Sequence, residues 1–114
     1  MPSLVNVLHP SLKVGFFQVG RDAAQQASGR HHKSIPFTIV ARATRGTYDV
    51  KAHDWHVHAS PGGGFVVPPH THIDIGQTSD DEGWFALEFI HLQASLFGGV
   101  DLFSCLDIPP LLTP

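Results

Sequence analysis

Short runs rich in apolar and β-forming residues follow one another along this chain, separated at short intervals by Gly, Pro and other turn residues. The first run, Lys13 to Val19, is rich in Val and Phe and is closed by Gly20. A polar stretch, Arg21 to Lys33, reads as a loop. Pro36 opens a second run, Phe37 to Thr44, which ends at Arg45-Gly46, and Thr47 to Ala52 follows as a hairpin partner would. His53-Asp54 makes a turn, and Trp55 to Ala59 alternates strictly, so Trp55, Val57 and Ala59 should face inward and His56 and His58 outward. Ser60 to Gly64 turns into the short apolar strand Phe65 to Val67, which Pro68-Pro69 stops. After a polar segment around Gln77 to Gly83 comes the strongest strand, Trp84 to Leu92. Both of its faces are largely apolar, which predicts burial on both sides, with Glu88 and His91 as the polar exceptions. Only Ala23 to Ala27 offers a short helical candidate. Short strands at this spacing predict an all-β sandwich or barrel.

Composition narrows the picture. The 114 residues suit one domain, and 42% hydrophobic against 15% charged residues excludes a disordered chain. Net charge is −3 with neutral histidines, and the seven Lys and Arg are scattered, so the basic stripe of a nucleic-acid surface is missing. Cys105 stands alone, which rules out an intrachain disulfide framework. Met1 to Val14 lacks the pattern of a signal peptide, and no apolar run approaches the ~20 residues needed to span a bilayer. The expected address is cytoplasmic, with no membrane partner.

The stretch Ser60 to Gly76, SPGGGFVVPPHTHIDIG, resembles the central signature of AraC-type ligand-binding domains and of cupins generally. Pro61-Gly62, Phe65 to Val67 and Pro68-Pro69 fall in the family's order, an apolar strand ends in Gly46 upstream, and Phe89-Ile90-His91-Leu92 resembles the family's Trp-Ile-His-Phe strand. The likeness covers roughly Val14 to Leu92. It implies a cupin-like double-stranded β-helix, an antiparallel jelly-roll barrel whose mouth takes a small effector such as a sugar or another metabolite. On this reading residues 1–94 form the barrel. Residues 95–114 form an apolar tail beginning a linker to a helix-turn-helix domain outside this chain, so that DNA would be touched only by that domain. The tail carries Leu96, Phe97, Leu102, Phe103, Leu106, Leu111 and Leu112, which points to packing on the barrel or on a second copy in a homodimer.

Nine histidines raise the question of metal, because neutral imidazole is a common ligand and His56/His58 and His70/His72 are His-x-His pairs. The resemblance counts against it. The metal-binding cupin pattern asks for His-x-His followed by Glu before Gly46, where this chain has Arg30-His31-His32-Lys33, and its later histidine would fall at Ile73. If a divalent metal binds, His32, His70 and His72 are the candidates. Glu88 lies in the most apolar strand and must be paired or line a polar cavity. Inward residues of this strand touch ligand in the family, and the matching positions are Ala86 and Glu88, with Trp84 on the same face as an aromatic lid. Arg30 or His31 falls nearest the family's sugar-contacting arginine. The expected ligand-binding set is therefore Arg30, His31, His70, His72, Trp84, Ala86 and Glu88, with no catalytic residue. The plainer alternative is that Glu88 pairs with Arg30, Arg42 or a histidine as a structural ion pair. Another class of function stays open beside the sensor: a free-standing metal-dependent cupin enzyme, a dioxygenase or isomerase, drawing on His31, His32, His70, His72 and Glu88.

Overall fold

A computed structural model describes residues 13–25, 29–96, 99–101 and 109–112. Among the described residues ten strands are formed: β1 (Lys13–Gln25), β2 (Gly29–Lys33), β3 (Thr38–Arg45), β4 (Thr47–Lys51), β5 (His56–Ala59), β6 (Gly64–Val67), β7 (Ile73–Thr78), β8 (Trp84–Leu96), β9 (Val100–Asp101) and β10 (Leu111–Leu112). They make two antiparallel sheets. The larger runs β1-β8-β3-β6-β10, with β9 also paired to β8, and the smaller runs β2-β7-β4-β5. The chain passes back and forth between the sheets, and this is the cupin double-stranded β-helix. Among the described residues no helix is long and apolar enough to cross a membrane.

The core lies between the sheets. Ile39, Ala41 and Ala43 from β3 and Phe65 and Val67 from β6 meet Tyr48, Val50, Val57, Ala59, Ile73 and Ile75 of the smaller sheet. In β5 the strict alternation is realised: Val57 and Ala59 are buried, His56 and His58 exposed, and Trp55 packs on the core edge. A strand with one face inward and one outward needs only every second residue to be apolar, which is what this segment supplies.

Four expectations are corrected. The polar stretch Arg21 to Lys33 is largely strand, because β8 is 13 residues long and supplies a partner for β1 as far as Gln25, opposite Trp84. The helical candidate fails for the same reason, since Ala23, Ala24 and Gln25 pair with Ala86, Phe85 and Trp84, while residues 26–28 lie outside the described ones. The hairpin expected at Gly46 is a corner instead: β3 pairs with β6 and β8, whereas β4 pairs with β5 and β7. Gly46 turns the chain with φ of 68°, and a Cβ there would stand 2.5 Å from the Thr78 carbonyl oxygen, so a side chain is excluded twice over. Finally, β8 is not buried on both sides. Phe85 and Ala86 are buried, but Leu87 to Leu92 are only partly so, because the outer face of the larger sheet is open.

The apolar tail enters the description only in part. β8 continues to Leu96, past the boundary drawn after residue 94, and Leu111 and Leu112 add a strand to β6. Phe97, Leu102, Phe103, Cys105 and Leu106 lie outside the described residues, as does nearly all of Met1 to Val14.

Candidate functional site

Which way each strand faces decides what can meet a ligand. Phe85 makes an edge-on contact with Tyr48 of the other sheet, with ring centroids 6.3 Å apart, so Phe85 points inward. Leu87 and Phe89 follow it at period two and pack against the core. Trp84, Ala86, Glu88 and Ile90 therefore lie on the outer face. Alternation puts these four on one face, as found, but the resemblance implies that Ala86 and Glu88 face inward, and in the structure they face outward.

Residues of β1, β8, β2, β4 and β7 line a partly open cavity of about 220 Å³ between the sheets. Asp22, His31, Lys33, Tyr48 and Gln77 supply its polar groups, and Ile75, Phe85 and Leu87 its apolar wall. Register explains the convergence: His31 stands opposite Ile75 across the β2–β7 pair, Gln77 opposite Tyr48 across β4–β7, and Asp22 opposite Leu87 across β1–β8. The amide nitrogen of Gln77 lies 3.3 Å from His31 Nδ1 and holds the imidazole in place. Burial, reinforced by the negative charge of Asp22, pushes the Tyr48 phenol up to about 12, so it stays a neutral hydroxyl throughout the physiological range. On the same inner face His91 lies against Phe89, ring centroids 4.6 Å apart, and Phe37. Burial holds His91 below the usual histidine range, helped by Lys33 and opposed by Asp22. A carboxylate, an ammonium, an imidazole, an amide and a phenol thus ring a small apolar-floored space. Such a set can both donate to and accept from a hydroxyl-rich ligand.

Of the residues expected from sequence, His31 alone enters this cavity. Arg30 is the next residue of β2 and faces outward, where its Nε donates to Asp74 at 2.8 Å and its terminal nitrogens reach Asp49 at 3.5 Å. Asp49 also takes His56, whose hydrogen bond is the main reason its carboxyl is held below the usual range. His70 is exposed in the turn after Pro68-Pro69, with φ of 59° and its backbone N–H donated to the Ile35 carbonyl at 2.8 Å. His72 and His32 share a shallow cleft of about 290 Å³ with Lys51 and Asp74 on the outside of the smaller sheet. Trp84 sits at the start of β8 beneath Arg45, whose guanidinium carbon is 5.4 Å from the ring centroid. Glu88 pairs with Arg21 at 2.9 Å and with Arg42 at 2.5 Å, and these two hydrogen bonds keep its carboxyl below the usual range. Arg42 is thus the partner that the plainer reading named, and Arg30 is not. Among the described residues no three His, Cys, Asp or Glu side chains are grouped as a metal ion would need.

Asp22, Lys33, Tyr48 and Gln77 were not singled out by the sequence. Extending the period-two pattern of Lys13 to Val19 through Gly20 would have carried Asp22 onto the inner face.

No protein-family model matches the sequence, and no curated protein is significantly similar to it. Solved structures do share its fold. The Clostridium difficile EutQ protein superposes with a TM-score of 0.51 at 14% identity, covering 71% of this chain and 65% of that one. An ethanolamine utilization protein Q from Salmonella typhimurium gives a TM-score of 0.50 at 11% identity, covering 71% of this chain and 67% of that one. The chain therefore spans less than two thirds of the length of the first of these. EutQ proteins have the cupin fold, and at such identities the likeness concerns fold alone. This chain therefore has the cupin fold.

Proposed function

We propose that this cupin domain binds a small polar metabolite between its two sheets and serves as the effector-binding part of an AraC-type regulator, with DNA contacted by a domain outside these residues. The observation that carries the reading is the convergence of Asp22, His31, Lys33, Tyr48 and Gln77, from four strands in two sheets, on one cavity with an apolar wall. A few placed polar groups in an apolar recess are the usual make-up of a small-molecule site. A volume of about 220 Å³ is below the ~300–1,000 Å³ of drug-sized pockets, so the ligand is no larger than a monosaccharide. The absence of a basic stripe in the sequence supports leaving DNA contact to another domain. The order of Gly46, Pro61-Gly62, Pro68-Pro69 and Phe89 to Leu92 supports the AraC-type assignment. Regulation requires the ligand to prefer one arrangement of the whole protein over another.

β1 forms an edge of the larger sheet among the described residues and exposes Val14 and Phe17, which supports a homodimer. Sedimentation at increasing protein concentration checks this, and monomer at every concentration would remove it.

The binding test is calorimetric titration with a panel of monosaccharides and small hydroxy acids. At least one should bind, and Gln77→Ala or His31→Ala should weaken it about tenfold, the loss of one ligand hydrogen bond. Elemental analysis of the purified protein belongs beside it. Stoichiometric tightly held metal, with no response to the panel, would replace this reading by the metal-dependent enzyme.

A further inference from the structure

The outer face of the larger sheet has a second concave region, separate from the cavity between the sheets. It is a groove of about 800 Å³ crossing β1, β8, β3 and the turn into β6. Its walls are Val19, Val40 and Ile90, and Gly62 and Gly64 leave one end without side chains. Across the middle runs a row of charges, Arg21–Glu88–Arg42, set by register because Glu88 stands opposite Arg21 on β1 and Arg42 on β3. Val19, on the β1 side of the groove, is 64% exposed.

The charge row is unbalanced. Glu88 accepts one N–H from each neighbour, Arg21 Nη2 to one carboxylate oxygen and Arg42 Nη2 to the other. A guanidinium carries five N–H donors, so four on each arginine remain outside this pairing. Both arginines are largely open to solvent, with side chains 71% and 62% exposed. Two positive groups against one negative leave the groove at +1, in a chain whose net charge is −3. Its chemistry is an apolar trough with a cationic centre that already holds one carboxylate and has donors for another.

We propose that this groove is a second binding site, for a free medium-chain carboxylic acid. Its headgroup is received between Arg21 and Arg42 beside Glu88, and its hydrocarbon body lies along Val19, Val40 and Ile90. A second copy of the chain packed through a two-fold axis at this point would bring two net-positive centres together, a like-charge juxtaposition that opposes association. An anionic amphiphile satisfies both the charge and the apolar walls. The groove and the interior cavity lie on opposite faces of the same sheet, so one can fail experimentally while the other stands.

The test is calorimetric titration of the full chain with octanoate, octan-1-ol and octylamine. Octanoate should bind, octan-1-ol about tenfold or more weaker, and octylamine not measurably. Arg42→Gln should weaken octanoate about tenfold, and Glu88→Gln should tighten it severalfold by removing the competing negative charge. Should either of those variants fail to fold, Val19→Glu, at a solvent-exposed position, should abolish octanoate binding by setting a carboxylate on the groove wall. Equal affinity for octanoate and octan-1-ol, or unchanged affinity in Arg42→Gln or in Val19→Glu, would overturn the proposal. So would absence of octanoate binding, and if Val19→Glu then dissociated a dimer, the groove would be assigned to a second copy.

Discussion

A methyl group added at Gly20 would fall far inside contact distance of the far end of the Phe89 ring, which reaches that glycine from the paired strand. Overpacking of this kind costs about 1–3 kcal/mol, so Gly20→Ala should lower the melting temperature by several degrees. An unchanged melting temperature would mean that Phe89 does not lie where this fold puts it. His91, beside the same ring, gives a second residue-level prediction. Its folded-state pKa is held below the ordinary ~6.5 by burial first and by Lys33 second. Below the unfolded value the unfolded chain therefore binds the proton more readily than the folded one. Stability should fall as pH drops from about 6.5 towards the folded pKa, and His91→Phe should flatten that part of the curve. Titration of the imidazole by NMR gives the pKa directly, and a value above 6.5 would contradict the assignment. Glu88 marks the limit of reasoning at this scale. A period of two groups residues by face, but it cannot say which face is inside. For that the partner across the core is needed, here Tyr48 against Phe85.

Elements whose ends carry strong backbone signals were legible in the sequence. β3, β5 and β6 were bounded by Pro36, Gly46, the Ser60 to Gly64 turn and Pro68-Pro69, and the structure places them within one or two residues of those marks. The second half of β1 and all of β2 were not, because their alternate residues face solvent and are polar: Arg21, Arg30 and His32 look the same in an outward strand as in a loop. Gly46 misled in another way. A strand–glycine–strand pattern suggests a hairpin, yet a two-residue hairpin calls for turn pairs such as Asn-Gly, and Arg45-Gly46 is not one. Since β1 is an edge among the described residues, its amides should divide in hydrogen exchange, alternate ones protected by β8 and the others exchanging fast. Uniform protection along β1 would mean that a further strand covers it. At the β7–β8 turn, Asp80 accepts from the backbone N–H groups of Trp84 and Glu82 and from Arg45. The first of these bonds does most to hold its carboxyl below the usual range. Its contribution to stability should persist through neutral pH and be lost only as pH falls below the ordinary aspartate range. Asp80→Asn should remove that acid-side dependence without breaking the turn.

At the scale of the whole molecule, the cupin architecture places functional groups where chain order would not. His31, Tyr48 and Gln77 are far apart in sequence and adjacent across one sheet, and Asp22 joins them from the opposite sheet. The fold class could be read from turn spacing because many short punctuated strands have few ways to close. The binding site could not, because it depends on strand order, which the hydrophobic pattern leaves open. The proposed site for the metabolite is the space between the sheets rather than the histidine-rich exterior. Backbone amide shifts recorded while a bound monosaccharide or hydroxy acid is titrated in test it most directly. The largest changes should fall on Asp22, His31, Lys33, Tyr48 and Gln77, with His56, His58 and His70 unmoved. Changes centred on the exterior histidines, or none within the cavity at saturating ligand, would contradict it.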